Sequence, residues 1–242
     1  MPRFHCFESG IRADDREVGL GPDESHHLLR VLRAREGDPV VVLNGCGLVL
    51  EGRLASVESR RAVIQVEEAR EFERPGPALH LAVGIPKGRT VDTVVRQATE
   101  LGVAGITLLN AERSEASART LQSKEKLEKW NRVAREACKQ SENPFLPGIE
   151  VAGGLSDWLS SWDRPGTHWV AHPSRKSVPD ACPGPVAGQD SLWMLVGPEG
   201  GLTLDELALA RGKGFQPVSL GATVLRVETA CVAICTLAES LR

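Results

Sequence analysis

The sequence predicts a small, mostly β domain followed by an α/β domain on a mainly parallel sheet. Three observations carry this. Short apolar runs divided by polar turns dominate residues 1–72. A stretch dense in charge and proline occupies 67–77, where the domain boundary is placed. Beyond it, strand-like apolar runs alternate with segments of helical period. The 242 residues suffice for two such domains, 1–72 and 76–242.

The first domain is expected to hold one helix, capped by Asp23 or Ser25, with Leu28, Leu29, Val31 and Leu32 as its apolar positions. Strands are expected over 39–43, 48–54 and 62–66, with Asn44-Gly45-Cys46-Gly47 as the first turn. Several short strands of this kind suggest a small barrel. In the second domain a strand spans 79–85. A helix over 90–101 follows, with Val91, Val94, Val95, Ala98 and Leu101 on one face and Gly102 as its stop. A strand over 104–109 leads to a helix over 123–140 that turns Leu127, Trp130, Val133, Ala134, Ala137 and Cys138 inward. Strands over 168–171 and 192–196 come next. A helix over 203–211 opens with the capping box Thr203-x-x-Glu206. A short strand over 218–220 precedes a final helix from Arg226.

Composition narrows the class. The 41% hydrophobic and 25% charged fractions are ordinary for a soluble globular chain. No apolar run approaches the roughly 20 residues of a membrane span, and residues 1–6 carry no secretory pattern. A cytoplasmic protein is expected. The cysteines, 6, 46, 138, 182, 231 and 235, form no CxxC pair, so neither a metal site nor a disulfide framework is expected. They read as small buried apolar residues, with Cys231 and Cys235 on one helix face. A net charge of -3 argues against non-specific nucleic-acid binding, so any RNA contact must come from local basic positions.

Two loops carry the chemistry. Val196-Gly197-Pro198-Glu199-Gly200-Gly201 lies between a strand and a capped helix. Ligands of open α/β sheets bind at such carboxyl ends, and glycines let backbone amides approach a ligand. The spacing is neither GxGxxG nor a Walker loop. It reads equally as a binding loop or as a tight turn. Leu220-Gly221-Ala222-Thr223-Val224-Leu225-Arg226 repeats the arrangement and raises the odds of a shared pocket. Glu228 suits the start of a helix and Arg226 opposes its dipole, which points to a ligand or a carboxylate partner for Arg226. A surface ion pair is the alternative.

The two loops, with Val224-Leu225-Arg226-x-Glu228-Thr229-Ala230, resemble the RsmE family of 16S ribosomal RNA uridine-N3 methyltransferases, of the SPOUT class. Thr99-Glu100-Leu101-Gly102-Val103, Glu112-Arg113-Ser114, Glu136-Ala137-Cys138-x-Gln140-Ser141 and His26-x-Leu28-x-x-Val31-Leu32-Arg33 match in order, so the likeness covers nearly the whole chain. Three positions depart from the pattern: Val227 is commonly Thr, position 223 is often basic, and no Arg follows Gln140-Ser141.

The resemblance implies a PUA-like β-barrel that holds RNA, then a trefoil-knotted α/β domain that binds S-adenosyl-L-methionine and forms a homodimer. Knots are rare in proteins, and nothing in the periodicity indicates one. The cofactor would be held by Ala171, His172, Val196, Gly197, Pro198, Glu199, Gly200, Gly201, Leu220, Gly221, Val224 and Leu225. Leu195, Leu220 and Leu225 would give apolar walls. Arg226 would be the catalytic electrostatic group, with Glu228 or Glu199 accepting the proton. Arg3, His26, Arg30, Arg33, Lys87, Arg89 and Arg113 would contact RNA, Arg30 and Arg33 from one helix face. The partner would be 16S ribosomal RNA or the small subunit. Rival readings are another SPOUT enzyme acting on ribose or transfer RNA, a non-catalytic RNA-binding protein, and a thiol hydrolase using Cys138.

Overall fold

The structure is a computed structural model that describes residues 3–115, 121–173, 183, 186, 188 and 190–242. The chain divides into two compact units. One takes Met1–Arg74 and Arg135–Leu146, the other Pro75–Ala134 and Pro147–Arg242.

The first unit is a five-stranded mixed sheet. Its strands are β1 (Phe4–Phe7), β2 (Glu17–Gly19), β3 (Pro39–Leu43), β4 (Leu48–Glu58) and β5 (Arg61–Glu71), in the order β1-β3-β4-β5-β2. Alternation along β3 splits its apolar residues between two faces. Val40 and Val42 join Cys6, Leu20, Leu28, Leu50, Leu54 and Ile64 in the main core. Val41 and Leu43 join Phe7 and Val49 under Cys138 and Leu146. That second layer is why Arg135–Leu146 clusters with this unit. Sequence periodicity shows only that the segment is helical, not where it packs.

Helix α1 (Pro22–His26) starts earlier than expected. Gly21 is its N-cap and Pro22 fills the first turn, where a fixed φ and a missing N–H cost nothing. Asp23 and Ser25 do not cap it. The Ser25 hydroxyl is buried instead, donating to the Leu20 carbonyl at 3.1 Å and accepting the Ala62 N–H at 3.0 Å. The helix continues as a π turn over His27–Val31. Leu28 is buried, but Val31 and Leu32 are 58% and 39% exposed rather than inward. β5 runs to Glu71, through part of the stretch read as the boundary. Its charges are tolerated because they sit on an exposed strand in cross-strand pairs, such as Arg53 with Glu67 at 2.9 Å.

The second unit is a six-stranded sheet, and every pairing in it is parallel. Its strands are β6 (Ala78–Gly84), β7 (Gly105–Asn110), β8 (Gly148–Gly154), β9 (Thr167–Ala171), β10 (Ser191–Val196) and β11 (Gln216–Val218), in the order β11-β9-β10-β6-β7-β8. All six residues of β10 are buried, as a central parallel strand covered on both faces requires. Leu155, Trp158, Leu159 and Trp162 pack on one face with Ala82, Val170, Trp193, Leu195 and Phe215. Helices α2 (Thr90–Glu100) and α6 (Val227–Ser240) pack on each other and α6 meets β6 and β10. The remaining helices are α3 (Lys124–Ser141), α4 (Leu155–Ser160) and α5 (Leu204–Gly212). β11 ends at Val218, two residues before the expected strand does.

Among the cysteines, 6, 138, 231 and 235 are buried as expected, but Cys46 is exposed in its turn, and Cys182 lies outside the described residues. The expected trefoil knot is not established among the described residues, which omit most of 174–190. No helix among the described residues is long and apolar enough to cross a membrane.

Candidate functional site

Because all six strands of the second unit are parallel, their carboxyl ends share one edge of the sheet. Three neighbours in space, β11, β9 and β10, deliver three loops to that edge. The loops 171–173, 196–202 and 220–227 line one cavity of about 530 Å³. All twelve residues expected to hold a cofactor lie on it, and Arg226 lines it too. Their convergence follows from strand order, which no local motif encodes. Leu195 is the exception among the expected walls. It is fully buried in the sheet's core, and Leu202 takes a place in the lining.

Each loop is fixed by identifiable contacts. His172 donates its N–H to the Val218 carbonyl at 3.0 Å, tying the first loop to β11. The second closes on itself through Gly201 N–H to the Pro198 carbonyl at 2.8 Å, with Gly201 at φ 70. It is also clamped from outside. The Lys87 N–H donates to Glu199 Oε1 at 2.9 Å, and Arg113 Nη1 donates to the Gly200 carbonyl at 3.0 Å. A Cβ on Gly84 would stand 2.5 Å from Pro198 Cδ, so the end of β6 needs glycine there. Gly84 had no local signal in the sequence; only the neighbouring strand's loop makes it special.

The loop then enters α5 through a complete capping box. Thr203 Oγ1 accepts the Glu206 N–H at 3.2 Å, and Glu206 Oε2 accepts the Thr203 N–H at 2.9 Å. Glu206 is 3% exposed, and its other oxygen accepts the Glu112 N–H at 2.8 Å, fastening the loop after β7. One carboxylate thus holds two of the edge loops. In the third loop Gly221 sits at φ 123. Arg226 is the N-cap of α6 in extended backbone, exposed, and in no ion pair among the described residues. Among the described residues the surface-ion-pair explanation for this Arg has no partner. Glu228 is half-buried in the first turn of α6 and does not line the cavity.

Two family models match this architecture. An RNA methyltransferase domain matches residues 73–239, and an RNA methyltransferase PUA domain matches 20–67. The ribosomal RNA small subunit methyltransferase E of Synechocystis sp. is 35% identical over 217 residues, spanning 88% of this chain and 69% of that one. The chain belongs to the ribosomal RNA small subunit methyltransferase E family. The member from Bacillus subtilis is 28% identical over 86% of this chain and 84% of its own. The Neisseria gonorrhoeae member, crystallised bound to S-adenosyl methionine, superposes with a TM-score of 0.84 at 27% identity, over 100% of this chain and 98% of that one. A Legionella pneumophila protein in complex with bound SAM gives 0.86 at 26%, over 99% and 98%. The fold is accordingly a PUA-like domain joined to a SPOUT-type α/β domain.

Within this family frame the expected RNA residues separate. Arg113 borders the cofactor-type cavity. Arg89 is exposed as the N-cap of α2, and Lys87 is paired with Glu115. In the first unit Arg3 is bound to Glu51 at 2.7 Å. His26 and Arg30 are exposed on the first helix. Arg33 does not share their face: the helix has ended, and Arg33 adopts φ 58. The thiol-hydrolase reading fails. Cys138 is fully buried, its Sγ donates to the Phe145 carbonyl at 3.6 Å, and burial pushes its pKa up to about 11.

Proposed function

We propose that this chain transfers a methyl group from S-adenosyl-L-methionine to N3 of a specific uridine in 16S ribosomal RNA of the small subunit. The observation that carries the reading is the cavity made by three strand-end loops with Arg226, which makes no ion pair among the described residues, in its wall. The cavity suits the cofactor. Its volume falls in the range of roughly 300–1,000 Å³ for small-molecule sites. Gly221, one of its walls, would place a Cβ within 4 Å of no other atom, so its backbone faces open space. Loop backbone would hold the cofactor, and Leu202, Leu220 and Leu225 would cover its apolar parts. When bound, S-adenosyl-L-methionine supplies an electrophilic methyl on a sulfonium.

The protein's own task is to position the base and manage one proton. Uracil N3 carries an imide proton, and its loss spreads negative charge onto the ring oxygens. Arg226 stabilises that charge. Glu199 is committed to the Lys87 N–H and serves its loop. Glu228, in the first turn of α6 but outside the lining of the cavity, is assigned as the proton acceptor once RNA is seated. N3 lies on the pairing edge, so the base must be unpaired or flipped. Residues 76–242 would carry catalysis and 1–72 would hold the RNA, in the cytoplasm. A homodimer is supported by Leu204 and Val224, 82% and 67% exposed beside the cavity loops, where a second copy would cover them.

The test is calorimetric titration of S-adenosyl-L-methionine, followed by methyl transfer to small subunits and mapping of the product. Binding with transfer to N3 of one uridine is expected. Transfer to a ribose hydroxyl, or binding without transfer, would overturn the target assignment.

A further inference from the structure

The first unit contains a cavity of about 630 Å³ that the methyl-transfer chemistry does not use. His26 and Arg30 border it from the first helix. Arg60 borders it from the turn joining β4 and β5, and Arg61 from the first residue of β5. No acidic side chain lines it, and none of these four makes an ion pair among the described residues. In a chain of net charge -3, three arginines around one concavity, with His26 beside them, are a local inversion of the overall charge. The lining between them is apolar. Leu29 is half-buried there, and Val57 is 47% exposed.

The turn that presents Arg60 is strained. Ser59 and Arg60 adopt φ 48 and φ 69, left-handed values that a two-residue hairpin turn requires and that Gly or Asn meets without cost. A non-glycine pair held in this conformation is the kind of outlier that marks a functional position. Here it aims an Arg side chain at the cavity where an Asn-Gly turn would leave a bare rim.

We propose that this cavity holds one unstacked nucleotide of single-stranded RNA. The base lies against Leu29 and Val57 and under an Arg guanidinium plane, and the backbone phosphates pair with Arg60 and Arg61. Unpaired RNA bases are recognised in this way, by apolar and cationic surfaces that a duplex cannot reach. The proposal rests on the reading of the chain as an RNA-modifying enzyme. It adds two cations, Arg60 and Arg61, that the family resemblance does not indicate.

The test uses the full chain and fluorescence anisotropy with a labelled single-stranded RNA of about 12 nucleotides, the matching duplex, and adenosine monophosphate as competitor. In Arg60→Gln/Arg61→Gln we expect affinity for the single strand to fall about tenfold and the salt slope to drop by about 1–2. In methyl transfer, KM for RNA rises while kcat and S-adenosyl-L-methionine affinity stay as in the parent. Val57→Asp, on the same rim, gives a similar loss without removing a cation. Unchanged affinity and slope in both variants overturn the proposal, as does an equal loss on the duplex. Competition by adenosine monophosphate alone, with no effect of either variant on RNA, assigns the cavity to a free nucleotide and also overturns it. Failure of the parent to bind or methylate any RNA instead removes the functional reading on which the proposal stands.

Discussion

At the scale of single residues, the site depends on a cation placed where the helix field opposes it. Arg226 sits at the positive end of α6 with no ion pair among the described residues, an arrangement that stability alone disfavours. Arg226→Ala is therefore expected to leave folding and cofactor affinity nearly unchanged while lowering kcat about 100-fold or more, as removal of a preorganised charge-stabilising group does. Calorimetry and single-turnover methylation check the two halves separately. Equal turnover in variant and parent would remove Arg226 from the mechanism. Gly197 makes the opposite case. A Cβ there would stand 3.0 Å from Leu202 N and 3.1 Å from Leu202 Cγ, inside the loop itself. Gly197→Val should weaken cofactor binding with little loss of global stability, and unchanged affinity would show that the loop does not shape the pocket. Both residues were legible in the sequence because glycine and a misplaced Arg are local signals. Gly84 and Leu202 were not, since each acquires its role from a strand or loop distant in sequence.

At the scale of elements, periodicity was informative wherever an element buried one face. α2 shows this: Val91, Val94, Val95 and Ala98 are all buried. The capping box was equally readable, because it needs only Thr203 and Glu206 three apart. What escaped was short or continuously mixed. β1 and β2 are four and three residues long, and β8, whose burial alternates between half-buried and exposed, begins and ends in glycine. The packing of the end of α3 was illegible for a different reason: Lys139 breaks its apolar face. Lys139 is 3% exposed, with Nζ 2.9 Å from Glu24 Oε1 and 2.7 Å from Glu136 Oε1. Glu24 also accepts the Phe7 N–H at 3.0 Å, so one carboxylate ties β1, α1 and α3 together. Breaking one side of such a pair strands a charge. Lys139→Met should cost about 3 kcal/mol, and Glu24→Gln added to it should recover much of that loss, since the amide oxygen still accepts from Phe7. Chemical denaturation of the four proteins of the cycle measures the coupling; additive losses would mean that the pair holds nothing together.

At the scale of the whole molecule, each unit carries a histidine whose burial lowers its pKa, and this sets how stability responds to acid. His168 lies between Phe215, stacked at 5.1 Å, and Trp162, edge-on at 5.2 Å, and its Nε2 is buried without a hydrogen-bond partner among the described residues. Burial is the main cause of its lowered pKa, partly offset by hydrogen bonds to the backbone of Arg164 and Pro165. His5, in the first unit, is lowered mainly by burial, with Glu142 at 3.7 Å pulling the other way. The sign follows from linkage. A histidine depressed in the folded state is neutral there while its unfolded counterpart takes up a proton near the ordinary value of 6.5. The unfolded state then binds more protons, and stability falls as pH drops below 6.5 until the folded histidine titrates in turn. Above 6.5 both states are neutral and the contribution is flat. The thermal midpoint should therefore hold between pH 8 and 7 and decline between about pH 6.5 and 5. His168→Gln, which keeps a side-chain amide to donate to the Arg164 and Pro165 carbonyls, should flatten that decline in the second unit. His5→Gln added to it should flatten the remainder. Scanning calorimetry across this range at constant ionic strength decides the matter. An undiminished acid decline in the double variant would place the effect on groups other than the two histidines.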